Sequence, residues 1–356
     1  MMTALYIILA ILIFGFLIAI HEFGHFITAK LSGVQVNEYS IGMGPKLLQK
    51  TKGETKYSLR LLPIGGYCAL EGEDGESDNP RAFPAAAWWK RLIILFAGSG
   101  MNFLTGFVIV VLLFTFAFAM NTPPVLHGVM DGSAMQEQGL RAGDELYSIN
   151  GRRIYFFSDF SLLASRTDGT CELVYIRDGE KHTVEGFRLE QRELTDANGE
   201  TGMFYGLTAS DREEKTVGTV LRTSWYECVN FSRMIWFGLQ DLVTGRAGLK
   251  DMGGPAMIVG EMVKTGNASQ TVGMGIANVL YFGAFIAVNL ALMNLLPIPA
   301  LDGGRILFLL IGTVFTAITH KKINPKYEAI VNTVAMVLLL LLMAVIFVKD
   351  IIWMVK

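Results

Sequence analysis

The sequence predicts a polytopic α-helical membrane protein, on two observations. Hydrophobic residues make up 52% of its 356 positions and charged residues only 17%. Four uncharged runs, near Ala4–Ile20, Leu92–Phe118, Ile276–Ala300 and Ala329–Val348, are each long enough to cross ~30 Å of hydrocarbon as a helix of ~20 residues. These four transmembrane helices are joined by a β-hairpin region after helix one and a small α+β domain after helix two. The expected division is an N-terminal membrane core (1–118), the α+β domain (122–206), an amphipathic connecting region (207–275) and a C-terminal membrane core (276–356). A formal net charge of -2 supplies no basic surface for nucleic acid.

Helix one has no basic residue before it and no small-residue cleavage pattern after Ile20, so it reads as a retained helix rather than a signal peptide. It leads straight into His21-Glu22-Phe23-Gly24-His25. Two imidazoles four residues apart stand one above the other on a helix and can share one Zn²⁺, and Glu22 can take a proton from the attacking water. So short a pattern also arises by chance where a polar helix end leaves the bilayer. Three ionisable residues at membrane depth, where each is costly and faces a protein interior, favour a site, and the chemistry implied is metal-assisted hydrolysis.

Beyond helix one, Val34–Tyr39, Gly42-Met43-Gly44-Pro45 and Lys56–Leu62 are strand-like and bounded by Pro63-Ile64-Gly65-Gly66, which predicts hairpins. Glu71–Asp78 is a short acidic loop, a solvated linker. Trp88-Trp89-Lys90-Arg91 is an interfacial anchor at the start of helix two, which carries Phe96-Ala97-Gly98-Ser99-Gly100-Met101-Asn102. Nine Lys and Arg lie between Lys30 and Arg91, and Arg305, Lys321, Lys322 and Lys326 precede helix four. By the excess of basic residues on the inner side, both segments are cytoplasmic, the two termini and the stretch 120–275 are outside, and the histidine pair lies toward the cytoplasmic part of the bilayer.

Residues 122–206 carry evenly spread charge and β-branched runs. Ser133-Ala134, Gly139-Leu140, Gly143-Asp144-Glu145-Leu146 and Asn150-Gly151 place a short helix, a strand and an Asn-Gly turn in succession. This pattern resembles a PDZ domain, which implies a groove that takes an extended peptide as an added strand; the same fold also serves as a spacer limiting access to the membrane. Val217 to Val243 then recurs at helical spacing, as an amphipathic helix lying on the outer membrane face or against the PDZ-like domain. Cys68, Cys171 and Cys228 show neither metal-ribbon spacing nor an even count for disulfides.

A catalytic zinc takes three protein ligands and keeps one open position, so the histidines need a partner. The candidate is Asp302, in Asn294-Leu295-Leu296-Pro297-Ile298-Pro299-Ala300-Leu301-Asp302-Gly303-Gly304 at the end of helix three. Two prolines and two glycines predict irregular backbone at membrane depth, tolerated where it lines a protein cavity.

The chain at this point resembles the site-2 protease family of intramembrane zinc metalloproteases over nearly its whole length. The specific motifs are His21-Glu22-x-x-His25 and Asn294-x-x-Pro297-x-x-x-Leu301-Asp302-Gly303; weaker ones are the helix-two glycines, Asn289 and Gly253-Gly254-Pro255. The resemblance implies Zn²⁺ held by His21, His25 and Asp302, and Glu22 as general acid and base. It further implies a membrane-embedded β-element beside the metal, and single-pass membrane proteins as substrates, of the anti-sigma-factor or remnant-signal-peptide kind. Ser99 departs from the family's usual proline. Asn102, Asn289 and Asn294 are candidates for binding a substrate backbone or a developing oxyanion, with an interhelical hydrogen bond as the other reading.

Intramembrane His and Asp also build ion paths, and the same fold without catalysis could serve as a receptor. The retained Glu22 between the ligands favours hydrolysis over both.

Overall fold

The computed structural model describes residues 2–73, 75, 77–195, 199–248, 251–321 and 325–355. Positions 74 and 76 of the acidic loop, 196–198 of the expected α+β domain, and Lys322 lie outside the described residues. The chain forms two compact units, Met1–Leu113 with Glu227–Lys356, and Phe114–Tyr226.

Helix α1 (Met2–Ser32) includes the whole first apolar run and both histidines. Strands β1 (Val36–Lys52) and β2 (Thr55–Leu70) follow, longer than the sequence suggests because each bends and pairs twice. Tyr39 lies opposite Cys68 on one side and Tyr57 on the other, while Leu48 lies opposite Leu59 and Lys52 opposite Thr55. The result is four segments in the order 46–52, 55–60, 36–41, 66–70, with the first and last at the edges. Gly42, at φ 83°, lets β1 reverse where an added Cβ would meet the Leu62 carbonyl oxygen at 2.6 Å.

One end of this sheet is charged and the other apolar. At the turn end, Glu54 pairs with Lys30 at 2.7 Å and Arg81 at 2.6 Å. Arg81 and Lys30 together hold the Glu54 carboxyl down at about 2, so this pin stays charged at any physiological pH. Toward the opposite end Ile41, Met43, Leu47, Leu48, Leu59, Leu61 and Leu62 are exposed. The Arg60 guanidinium bonds Ser40 Oγ at 3.0 Å, the Gly44 carbonyl at 2.9 Å, Glu38 Oε1 at 2.9 Å and the Tyr67 hydroxyl. It ties three of the four segments together.

Helix α2 (Trp88–Phe116) comes next. The second unit contains β3 (Leu126–Val129), α3 (Ala134–Glu137), β4 (Glu145–Ile149), β5 (Arg152–Arg153), α4 (Phe157–Ala164), β6 (Thr170–Arg177), β7 (Glu180–Arg188), β8 (Arg192–Thr195), β9 (Thr201–Phe204) and β10 (Leu207–Ala209). Its main sheet runs β5-β4-β6-β7, and β10 pairs with β3. Ser133 caps α3, accepting from the Gln136 N–H. Asn150 at φ 48° and Gly151 at φ 71° form the expected two-residue turn between β4 and β5. Arg177 forks onto the buried Asp144 with both contacts at 2.7 Å.

Helix α5 (Val217–Val243) is the amphipathic helix read from the sequence. Helices α6 (Pro255–Asn267), α7 (Val272–Asn294), α8 (Asp302–Thr319) and α9 (Pro325–Val355) complete the chain. Within the first unit α5 packs on α7, Phe231 lying 5.3 Å from Tyr281 and 5.4 Å from Phe285 ring to ring, with Tyr281 donating to Glu227. The later part of the region 207–275, from Glu227, therefore belongs to the first compact unit. Met262 of α6 is buried with Tyr6, Ala10, Ile13 and Leu17 of α1 and Val279, Ile286 and Ala287 of α7. Glycines allow the close approach: an added Cβ at Gly275 would meet the Tyr6 hydroxyl at 2.1 Å, and one at Gly283 would meet Ile13 at 3.0 Å. Gly254 is the N-cap of α6 because the buried Asp350 carboxylate accepts from the Gly254 and Met257 N–H groups at 3.3 and 3.2 Å, leaving no space for a side chain there.

Two sequence expectations change. Helix three was expected to reach Ala300, but α7 ends at Asn294, where Pro297 and Pro299 prevent continuation. The link expected before helix four is mostly a helix itself, α8. Among the described residues five helices, α1, α2, α7, α8 and α9, are therefore long and apolar enough to cross a membrane, where the sequence reading has four. Asp302 and Arg305 interrupt the apolar run at the start of α8 and conceal it from a search for uncharged stretches.

Candidate metal centre

The helical spacing of His21 and His25 turns both rings to one side of α1, with ring centroids 4.9 Å apart. Asp302, the first residue of α8, meets them there. Its Oδ2 lies 3.2 Å from His21 Nε2 and 3.3 Å from His25 Nε2, and the two Nε2 atoms are 3.3 Å apart. A tetrahedral zinc with ligands at ~2.0–2.1 Å requires ligand atoms about 3.4 Å apart, so the triangle has the size of one tetrahedral face. The three side chains are 12%, 12% and 15% exposed.

The hydrogen bonds around the triangle are compatible with a cation. His25 Nδ1 donates to the Ile94 carbonyl at 2.8 Å, so the neutral imidazole presents its Nε2 as a lone pair. Asp302 Oδ2 is buried with no hydrogen-bond donor. Lone pairs converging in a closed space repel unless a positive ion lies between them. His, His and Asp are a donor set suited to zinc.

The loop 295–301 delivers Asp302, and its sequence reflects the space available. An added Cβ at Gly303 would meet the Leu296 carbonyl oxygen at 2.2 Å, and one at Gly304 the Ile298 carbonyl oxygen at 2.3 Å. The glycines, read from the sequence as a sign of irregular backbone, serve to let backbone pass over backbone. Ala300, at φ 75°, carries the strained turn and donates its N–H to Asn332 Oδ1 of α9 at 3.1 Å.

Glu22 lies on α1 beside the outer sheet segment 66–70, where an added Cβ at Gly66 would approach its Cγ to 3.5 Å. Asn102 is 1% exposed, and its amide lies 3.4 Å from His21 Nδ1, on the ring edge away from Asp302. Asn289 and Asn294 are half-buried on α7 and share no hydrogen bond with His21, His25 or Asp302 among the described residues. Sequence reading missed the Ile94 carbonyl, since a backbone acceptor has no residue signature. It had Gly98 only as one of the helix-two glycines, and the structure gives it a more specific place. An added Cβ at Gly98 would lie 2.4 Å from His25 Nε2 and 2.7 Å from His21 Cε1; one at Gly24 would lie 2.4 Å from the Ala97 carbonyl oxygen.

Gly98→Ala is therefore expected to displace an imidazole and lower bound zinc, read by atomic emission, at least about tenfold, the effect of disturbing a ligand's outer support. Gly100→Ala, whose Cβ would meet only Phe96 at 3.6 Å, is the matched control and keeps its zinc. Equal zinc in both variants would show that α2 does not wall the site.

Residues 9–342 match the family model described as Peptidase family M50. A protein of Clostridium perfringens named as a zinc metalloprotease is 38% identical over 98% of this chain and 99% of its own length. Zinc metalloprotease RasP of Bacillus licheniformis is 30% identical over 97% of this chain and 98% of its own. Regulator of sigma-W protease RasP of Bacillus subtilis is 29% identical over the same shares. The chain belongs to peptidase family M50, the site-2 protease type of intramembrane zinc metalloprotease.

Proposed function

We propose that this protease cuts within the transmembrane segment of single-pass membrane proteins, with His21, His25 and Asp302 holding Zn²⁺ and Glu22 as general base and acid. The observation that carries the reading is the triangle of three lone-pair ligands at the spacing of a tetrahedral face, with Glu22 next to the first of them. Zinc in that triangle supplies Lewis-acid polarisation of a carbonyl and acidifies water to a pKa of ~7. Glu22 takes the proton of the attacking water and returns it to the leaving amine. A helical substrate hides its carbonyls in its own hydrogen bonds and must be opened before water can attack. The outer segment 66–70 passes beside Glu22 and is placed to take an opened segment as an added strand. The apolar end of that sheet supports its insertion into the bilayer, and Asn289 and Asn294 remain candidates for contact with the substrate backbone.

The name of the Bacillus subtilis relative points to regulated proteolysis in a sigma-factor pathway, so a membrane anti-sigma factor already trimmed outside is the proposed substrate class, with remnant signal peptides as the other. The domain 122–206, PDZ-like by its sequence pattern, either reads a substrate peptide or acts as a size filter. Incubating the purified protein with a labelled membrane peptide tests the whole reading. Cleavage is expected with zinc, is abolished by a zinc chelator, and returns on adding zinc back. Cleavage indifferent to the chelator would sink it, and metal uptake into vesicles without cleavage would favour a transporter.

We also propose four crossings of the cell membrane, both termini outside and the metal toward the cytoplasmic part. Asn332 sits beside Ala300, so the start of α8 and the eighth residue of α9 share one depth. At 1.5 Å per residue, α8 spans about 27 Å and α9 about 35 Å beyond Asn332, and only one of the two can cross from that common level. The uncharged stretch Ala329–Val348 makes it α9. Single cysteines at Ser77 and His320 are then expected to react with an impermeant thiol reagent from the cytosol only, and one at Thr195 from outside only. Labelling of His320→Cys from outside would show that α8 crosses.

A further inference from the structure

We infer that Asn102 is a positioning residue for the metal centre: its side-chain oxygen accepts the Nδ1 proton of His21 and so fixes that ring with Nε2 free to bind zinc. The inference rests on the zinc reading above and assigns Asn102 a role distinct from contact with substrate.

Three positions on one stripe of α2 face the two histidines. Ile94, Gly98 and Asn102 are spaced i, i+4, i+8, which places them above one another on the helix. Ile94 supplies the carbonyl that takes the His25 Nδ1 proton at 2.8 Å. Gly98 leaves the gap in which both rings lie. Asn102 occupies the equivalent position for His21, with its amide 3.4 Å from Nδ1. In each imidazole the ring nitrogen that does not face Asp302 thus has its polar partner on α2.

The amide orientation follows from proton accounting. A neutral imidazole carries one proton, and a ring that ligates through Nε2 must hold it on Nδ1. With the amide nitrogen toward His21, two hydrogens oppose each other while Asn102 Oδ1 is left buried without a partner. Turning the amide by 180°, a change its shape does not resist, sets the oxygen against the Nδ1 proton. Asn102 is 1% exposed, so bulk solvent does not compete for that position.

The test uses the full-length protein, with zinc affinity measured by competition against a fluorescent chelator in wild type, Asn102→Asp and Asn102→Leu. Aspartate keeps the acceptor and loses the donor; leucine keeps the volume and loses both. Asn102→Leu is expected to bind zinc ~10–100-fold more weakly, the usual effect of removing a ligand's outer partner. Asn102→Asp is expected to stay within about threefold of wild type, and the Co²⁺-loaded spectrum is expected to be shifted in Asn102→Leu alone. Wild-type affinity in Asn102→Leu would overturn the inference. So would loss of zinc in Asn102→Asp, which stands as the deciding variant if the leucine protein does not fold. Full zinc with lost cleavage in both variants would overturn it too, returning Asn102 to a substrate-contacting donor. A wild-type protein that binds no zinc would fail earlier and remove the metal centre itself.

Discussion

Asp302→Ala is expected to lose zinc and peptide cleavage together. Two imidazoles remain, and the third corner of the triangle, now 3.2 and 3.3 Å from His21 and His25 Nε2, becomes a methyl group that donates nothing. The loss in zinc affinity is expected to exceed the ~10–100-fold that removal of an outer partner costs, because a direct ligand is gone. Zinc per protein by atomic emission and cleavage of a labelled membrane peptide, measured on one preparation, check the coupling. Full occupancy with normal cleavage in Asp302→Ala would remove the third ligand from the scheme.

Glu22→Gln separates the base from the ligands. Glutamine keeps the size of the side chain and its place between α1 and the segment 66–70, but cannot accept the water proton. Zinc content is expected to equal wild type, while cleavage falls about 10²–10⁴-fold, the range general-base catalysis contributes. Its profile is therefore the opposite of Asp302→Ala on the zinc axis. Substantial cleavage by Glu22→Gln would exclude Glu22 as the base, and zinc loss in that variant would show that Glu22 touches the metal.

The class of fold and the main chemistry were legible along the chain because each depends on local pattern. Uncharged runs are set by the thickness of the bilayer, and His21-Glu22-x-x-His25 encodes its geometry in the helical repeat. The Asn150-Gly151 turn was likewise legible, since positive φ at both positions is a local demand. Helix α8 was not, because Asp302 and Arg305 sit where an uncharged run would have announced it, and a carboxylate at the first position of a helix resembles a break.

The sequence by itself determined which residue types could hold a metal and which could move a proton, since those are properties of side chains at fixed local spacing. Only the tertiary structure decided that Asp302, 277 positions beyond His25, closes the triangle. It alone decided that Ile94 offers a carbonyl, that Gly98 must be empty space, and that the segment 66–70 passes Glu22. Those facts concern backbone atoms and absent side chains, which have no signature until α1, α2 and the 295–301 loop are brought within van der Waals contact. The physical reason is that close packing between distant segments selects for what is missing as strongly as for what is present, and a one-dimensional pattern records only what is present.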